Sequence, residues 1–273
     1  MDMERLCIHT ITTKHWTTEE CITRYSAAGV TGITFWRYNL EGRDVTAVGR
    51  RAREAGMKVV SLCRGGFFPS KTAEGRQKAL DDNRRCIEQA RELEAPMIVL
   101  VCGAVPGQSL EESRKQITDG IAAVLPEAEA AGVKLAIEPL HPMYADDRSA
   151  VNTMRQANDI CDALGSPENV GIAADVYHIW WDPELKHQIE FTSAQKRLFA
   201  FHICDWKTPT ADLLNDRGLM GEGCIPIRQI SDWVDATGFT GHREVEIFSN
   251  LYWAMDQAEY LKKIKEAYRH LYV

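Results

Sequence analysis

Eight short apolar runs, separated by stretches of helical character, are the feature that most restricts the fold of this chain. The runs lie at 5–12, 32–37, 57–63, 96–102, 134–140, 169–176, 198–205 and 243–248. Several of them, such as MIVLVCG, lack the alternation of a strand with one solvated face. A continuous apolar run is expected where both faces of a parallel sheet are covered.

The segments between the runs carry helix start and stop signals. Thr17 and Glu20 have the spacing of a capping box, and Gly29 can end that helix. A glycine again precedes the next strand at Gly56, Gly132 and Gly238, which is the pattern of repeated βα units. Charged or amphipathic segments predict further helices at 43–55, 72–94, 109–131, 148–164, 226–237 and 254–270.

We therefore predict an α/β fold, a single (β/α)8 TIM barrel that spans residues 1–273 as one domain. The length of 273 residues is close to the ~250 that are typical of this fold. Two long loops are expected, 177–197 after strand 6 and 206–225 after strand 7. Both follow the carboxyl ends of strands, where barrel enzymes place their site-forming loops.

Composition argues against several classes of partner. The net charge of −7 leaves no basic footprint for nucleic acid. No apolar run approaches the ~18 residues of a membrane span, and MDMERLCIHT does not have the form of a secretory signal. The eight cysteines are scattered and include no CxxC pair, which favours reduced thiols. We predict a cytoplasmic protein without a membrane or nucleic-acid partner.

Four side chains of the kind that bind metals fall at the ends of four consecutive runs. They are Glu138 in KLAIEPLHP, Asp175 in VGIAADVYH, His202 in LFAFHICDW and Glu246 in HREVEIFSN. Any one of them could be an ordinary loop residue, but the ends of parallel barrel strands meet at one mouth. Three carboxylates and one imidazole suit a borderline-hard divalent cation. Since buried carboxylates repel one another, the joint pattern predicts a metal-dependent enzyme.

The same residues carry a resemblance to a known family. The chain resembles the xylose isomerase-like TIM-barrel superfamily, and within it the sugar phosphate isomerase/epimerase group that includes the ketose 3-epimerases. The resemblance covers essentially the whole chain and rests on Glu138-Pro139, Asp175-x-x-His178, His202, Glu246 and the turn Gly221-Glu222-Gly223. It implies one divalent cation, Mn, Mg or Co with Zn as a further candidate, held by Glu138, Asp175, His202 and Glu246. It also implies that the two glutamates act as an acid/base pair.

The chemistry that the resemblance implies is proton transfer next to a carbonyl. Loss of that proton gives an enediolate, whose charge a cation stabilises. Return of the proton on the opposite face inverts the carbon, whereas one base serving two carbons gives aldose–ketose isomerisation. A lyase, a hydrolase of 3-keto-glycosides and a decarboxylase of a 3-keto sugar acid would use the same parts. An apurinic-site endonuclease needs more histidine ligands and a basic surface than this sequence offers.

Three arginines bear on the substrate. Arg37 follows the run ITFW, Arg64 follows VVSLC, and Arg217 lies in the predicted loop after strand 7. If two or more face the mouth, their guanidinium groups favour an acidic or phosphorylated sugar. Surface solvation or a loop salt bridge is the alternative for each, for example from Arg217 to Asp212 or Asp216.

Further substrate contacts are expected from aromatic and histidine residues. We predict that His178 touches a substrate oxygen, with a core histidine as the alternative, and that Trp36 and Trp206 line the pocket. His9, at the end of strand 1, is another pocket candidate. Supporting roles in loops or at a dimer contact are expected for Trp180, Trp181 and Trp253. The resemblance further implies a small carbohydrate substrate and a homodimer or homotetramer.

Overall fold

Eight parallel strands close into a barrel in the computed structural model, which describes residues 3–271. In that range the strands are β1 (Leu6–His9), β2 (Gly32–Trp36), β3 (Lys58–Gly66), β4 (Met97–Val101), β5 (Lys134–Glu138), β6 (Val170–Asp175), β7 (Leu198–Ile203), β8 (Asp205–Trp206), β9 (Arg217–Gly218) and β10 (Arg243–Val245). The order around the barrel is β1-β10-β7-β6-β5-β4-β3-β2, while β8 and β9 form a separate antiparallel pair. The predicted (β/α)8 barrel is confirmed.

Helices surround the barrel. They are α1 (Thr18–Ala27), α2 (Val45–Glu54), α3 (Ala73–Leu93), α4 (Leu110–Ala130), α5 (Met154–Ala163), α6 (Val176–Ile179), α7 (Leu185–Ala194), α8 (Ile227–Ala236), α9 (Asn250–Trp253) and α10 (Gln257–His270). Short 3-10 turns lie at Met3–Arg5, Arg37–Leu40 and Pro142–Tyr144. The capping box predicted at Thr17 and Glu20 is present, with reciprocal side-chain and backbone hydrogen bonds.

Three predicted segments need correction. The stretch 177–197 is not a long loop, because it contains α6 and α7; α6 begins where the Asp175 carboxylate accepts the backbone N–H of Tyr177. The helix predicted at 148–164 starts only at Met154, since Thr153 caps it through the N–H of Gln156. The helix predicted at 254–270 begins only at Gln257, where Asp256 caps α10, and the short helix α9 precedes it.

The segment between β7 and α8 is fastened to the barrel through one carboxylate. Asp205 accepts hydrogen bonds from the backbone N–H groups of Trp206, Gly221, Gly223 and Ile225, at 2.8–3.0 Å. Such a set of N–H donors fixes an otherwise irregular chain. It places β9, and therefore Arg217, over the mouth of the barrel.

The core is a continuous apolar cluster in the layer between barrel and helices, with a small second cluster of Cys63, Val99, Ala136, Ala173 and Ala200.

Seven cysteines are buried and Cys224 is exposed, and all eight are free thiols. Burial raises the pKa of the Cys63 thiol well above its usual range, so the sulfur is an uncharged packing group. Over the described stretch, none of the helices is both long and apolar enough to cross a bilayer.

Candidate metal centre

The four residues predicted as metal ligands converge at the carboxyl-terminal mouth of the barrel. Glu138, Asp175 and His202 lie on β5, β6 and β7, and Glu246 directly follows β10. One ligand atom from each lies within 4.8 Å of the others, and none of the four side chains is more than 5% exposed. Strand register explains part of this, since Asp175 and His202 are neighbours across the β6–β7 ladder.

The donor atoms fit a divalent cation. Glu138 Oε1 and both ring nitrogens of His202 are buried and have no hydrogen-bond partner among the described residues. Buried polar atoms are rarely left unpartnered, so such atoms call for a ligand. His202 Nδ1 and Glu138 Oε1 lie 3.1 Å apart, a separation that suits two ligands each about 2.0–2.2 Å from one ion.

A guanidinium group lies among the same carboxylates. Arg217 Nη1 is 2.9 Å from Asp175 Oδ2 and 2.9 Å from Glu246 Oε2, and the group stacks between Tyr177 and Phe248. The structure places Arg217 at the mouth, where it was predicted, and the alternative of a loop salt bridge to Asp212 or Asp216 does not occur among the described residues. Because two carboxylates already engage its Nη1, Arg217 is poorly placed to select an anionic substrate. Its positive charge offsets the repulsion between the carboxylates of the centre.

His178 lines the cavity beside this arginine. Its Nε2 is 3.1 Å from Arg217 Nη2, and its Nδ1 is buried without a hydrogen-bond partner in the described structure. Burial, reinforced by the Arg217 charge, lowers the pKa of His178 well below its usual range, so the ring is neutral. Since Arg217 only donates, Nε2 accepts and the proton lies on Nδ1. The ring therefore has an N–H to offer to a substrate oxygen.

The two glutamates differ in electrostatic environment. Burial and the neighbouring Glu246 charge raise the pKa of Glu138 to about 7, although His202 acts in the opposite direction. Burial acts to raise the pKa of Glu246 as well, but the charges of His9 and Arg217 outweigh it and hold that pKa below its usual range. Environments that separate two carboxylates in this way are typical of acid/base pairs.

A second carboxylate on β10, Glu244, lies beneath the centre and was not predicted. His9 connects it to Glu246, with Nε2 at 3.0 Å from Glu244 Oε2 and Nδ1 at 2.9 Å from Glu246 Oε1. Glu244 also accepts a hydrogen bond from Thr34, and its Oε1 is 3.8 Å from His202 Nε2. Residues two apart on a strand share a face, so the spacing of Glu244 and Glu246 in REVEIF was an available signal.

The charges of this lower group are mutually compensated. Burial lowers the pKa of His9, but Glu246 and Glu244 outweigh it and raise that pKa to about 10. Burial likewise acts to raise the pKa of Glu244, yet the His202 and His9 charges lower it to about 2. His9 is fully buried and lies below the cavity rather than in its wall, which corrects its assignment as a pocket residue.

Two other predicted pocket residues point elsewhere. Arg37 binds Asp82 through both Nη atoms and Gln89 through Nε, so α3 holds it in a neighbouring cleft. Trp206 stacks on Tyr177, with ring centroids 4.7 Å apart, and supports the wall from behind. Trp36 and Arg64 do line the cavity, as predicted.

The remaining cavity wall includes residues that sequence reasoning missed, namely Tyr144, Arg148, Leu214 and Phe248. No short sequence motif identifies them, because they lie in connections whose path depends on packing around the whole mouth of the barrel.

The tryptophans expected to support loops do so. Trp180 packs on Trp206, Trp181 Nε1 donates to the backbone carbonyl of His178, and Trp253 Nε1 donates to the backbone carbonyl of Ile11.

Comparison with known proteins identifies the family. A sequence profile of the xylose isomerase-like TIM barrel matches residues 22–264. The chain belongs to the xylose isomerase-like TIM-barrel family. It is 26% identical over 204 residues to an inosose isomerase of Halalkalibacterium halodurans, a match that covers 73% of this chain and 70% of the relative. The predicted resemblance at the level of the family is confirmed.

Solved structures share the fold. The crystal structure of protein SMc04130 from Sinorhizobium meliloti 1021 is 46% identical, covers 98% of both chains and has a TM-score of 0.94. The IolI protein, solved with a bound zinc atom, is 22% identical with a TM-score of 0.84; the match covers 98% of this chain and 97% of that one.

Proposed function

We propose that this family member is a divalent-metal-dependent sugar isomerase or epimerase that transfers a proton next to a carbonyl. The observation that carries the proposal is the convergence of Glu138, Asp175, His202 and Glu246 within 4.8 Å at the barrel mouth. Similarity to an inosose isomerase supports the reaction class, and the zinc in the similar IolI structure supports a cation.

These four side chains would hold the cation, for which Mn²⁺, Mg²⁺, Co²⁺ and Zn²⁺ are the candidates. When bound, a divalent cation supplies an electrophile that polarises the carbonyl and stabilises the negative charge developing on its oxygen. Asp175 and His202 lie deeper than the cavity wall, whereas Glu138 and Glu246 form part of that wall. The two glutamates are therefore the ligands that also meet the substrate.

Proton transfer is assigned to these two glutamates. Two strands, β6 and β7, separate β5 from β10 in the barrel, so Glu138 and Glu246 reach the cavity from different sides. A carboxylate on one side can remove a proton and one on the other side can return it, which inverts the carbon. Return of the proton to the adjacent atom by one carboxylate gives the isomerase outcome. The Nδ1–H of His178 orients a substrate oxygen during either reaction.

A metal-dependent decarboxylase of a keto sugar acid is the second candidate. It is favoured by the presence of two half-buried arginines, Arg64 and Arg148, in the wall of the same cavity. Such groups could bind the carboxylate that this reaction removes. A lyase or a glycoside hydrolase would use the same centre, but neither is favoured by a particular contact. Assembly into two or four copies and a cytoplasmic location stay predictions.

Proton NMR in D₂O tests the proposal. The protein is incubated with Mg²⁺ or Mn²⁺ and with ketohexoses, their 6-phosphates and keto sugar acids, and the metal is chelated before spectra are recorded. We expect metal-dependent deuterium uptake next to the carbonyl, and the labelled carbon separates epimerase from isomerase. A sample treated with chelator from the start is the control. Loss of the carboxylate, with deuterium appearing only at the carbon that carried it, would replace the proposal with the decarboxylase.

A further inference from the structure

Two arginines in the cavity wall have no acidic partner. Arg64 and Arg148 both line the cavity that contains Glu138, His178 and Glu246. Arg64 lies over the Phe67 ring at 4.3 Å from its centroid, and Arg148 lies over the Tyr144 ring at 5.6 Å. Within residues 3–271, neither guanidinium makes a hydrogen bond or an ion pair. Their faces are supported by aromatic rings, while the N–H groups at their edges stay free.

Other arginines near the mouth are satisfied. Arg217 pairs with Asp175 and Glu246, and Arg37 pairs with Asp82. Arg64 and Arg148 thus differ from these two arginines in being half-buried without an ion pair among the described residues. Burial and the positive charge of Arg148 lower the pKa of Arg64, although the Glu138 charge acts in the opposite direction, which is consistent with repulsion between the two guanidinium groups. An anion placed between them would relieve this repulsion.

The charge balance of the site points to the same conclusion, and this step depends on the proposed function because it includes the cation. Three carboxylates, Glu138, Asp175 and Glu246, are balanced by Arg217 and one divalent ion. Within the described residues, neither Arg64 nor Arg148 forms an ion pair with one of these carboxylates, so the two guanidinium groups of the wall stand apart from this balance.

We propose that the substrate carries an anionic group, a carboxylate or a phosphate, that binds between Arg64 and Arg148 while its carbonyl end lies at the metal centre. A guanidinium presents its N–H donors as a planar fork that matches the oxygens of both anions. The aromatic stacking holds each fork in position before the ligand arrives. A neutral sugar would leave both groups desolvated and unpaired, so it binds more weakly.

Isothermal titration calorimetry of the Mg²⁺-loaded protein tests the inference. The probes are the four D-ketohexoses, their 6-phosphates and the corresponding keto sugar acids. We expect at least one anionic probe to bind about 10-fold or more tightly than its neutral parent, as a hydrogen-bonded charge pair should provide. In the double variant Arg64→Gln/Arg148→Gln this preference disappears through a loss of affinity for the anionic probe, and the affinity for the neutral sugar does not fall. The phosphate and carboxylate arms identify which anion is preferred.

The matched control removes two positive charges from the neighbouring cleft, as Lys14→Gln/Arg37→Gln. It should keep the anionic preference. Equal binding of neutral and anionic probes by the unaltered protein overturns the inference, and so does an equal loss of preference in both double variants, which would indicate a general field and not a site.

Deuterium uptake separates this inference from the proposed function. Metal-dependent uptake by neutral ketohexoses without any anionic preference would retain the isomerase or epimerase and remove the anion site. Anion binding that requires Arg64 and Arg148, with no uptake by any probe, would retain the anion site and remove the proposed function.

Discussion

Two groups of charged side chains at the barrel mouth are partnered in opposite ways. In the inner centre, formed by Glu138, Asp175, His202, Arg217 and Glu246, carboxylates face a guanidinium and a set of free donor atoms suited to a cation. In the outer pair, Arg64 and Arg148, each guanidinium lies over an aromatic ring and forms no ion pair among residues 3–271. On the two proposals above, the inner centre would take a cation to complete its partners, while the outer pair would take an anionic group of the substrate.

Strands carry three residues of the inner centre, whereas the outer pair is divided between barrel strand β3 and a connection. Glu138, Asp175 and His202 lie on barrel strands, so the ladder fixes their positions. Arg148 lies in the connection between β5 and α5, and Arg64 lies close to the end of β3. Barrel enzymes commonly combine rigid strand ends for chemistry with variable connections for recognition. On this basis, relatives with the same inner centre and different outer residues should act on different sugars.

The largest effect is expected from Glu246→Gln. Loss of an acid/base group lowers the rate by about 10²–10⁴-fold, so deuterium uptake measured by NMR should almost cease. Binding of an anionic sugar should fall much less than the rate, because the outer pair is untouched. Glu129→Gln, at an exposed position of α4, is the control, and metal content is measured in both variants. Uptake near the unaltered rate in Glu246→Gln would remove this glutamate from proton transfer.

A smaller effect is expected from Arg217→Gln. Breaking a buried pair costs about 3–5 kcal/mol, so the free energy of unfolding of the metal-free protein should fall by that amount in urea titration. Affinities for neutral and anionic probes should fall by the same factor, because Arg217 forms ion pairs with Asp175 and Glu246 and does not bind the ligand. A selective loss of anionic probes would instead place Arg217 with the outer pair.

Sequence reasoning recovered the barrel and the convergence of four side chains for a simple physical reason. Eight apolar runs alternating with helices allow few arrangements, and the carboxyl ends of parallel strands must meet at one mouth. A residue that directly follows a strand, such as Glu246, is placed by that rule alone. The rule also located Trp36 and Arg64 correctly in the cavity wall.

The direction of a long side chain beyond a strand is not set by the same rule. Arg37 leaves β2 but meets Asp82 on α3, a partner 45 residues away that no local pattern indicates. Arg148 was missed because its segment was predicted as the start of a helix that begins only at Met154. The helix α7 was missed because its signals were attributed to a loop expected at that position. Glu244 could have been found from its spacing to Glu246.

The smallest effect is expected from Glu244→Gln, which tests whether the inner centre depends on the layer beneath it. Glu244 contacts one ring nitrogen of His9, and the other ring nitrogen of His9 contacts Glu246. The second carboxylate oxygen of Glu244 lies near His202 Nε2. Groups that orient metal ligands typically contribute about 10–100-fold in metal affinity. Titration with Co²⁺, followed by its visible absorption, should show a loss in that range and an altered spectrum. Thr34→Val, which removes a hydrogen bond to Glu244 but no charge, should show a smaller loss. Affinity unchanged within about 2-fold in Glu244→Gln would make this carboxylate a packing element and would confine the metal chemistry to the four residues above it.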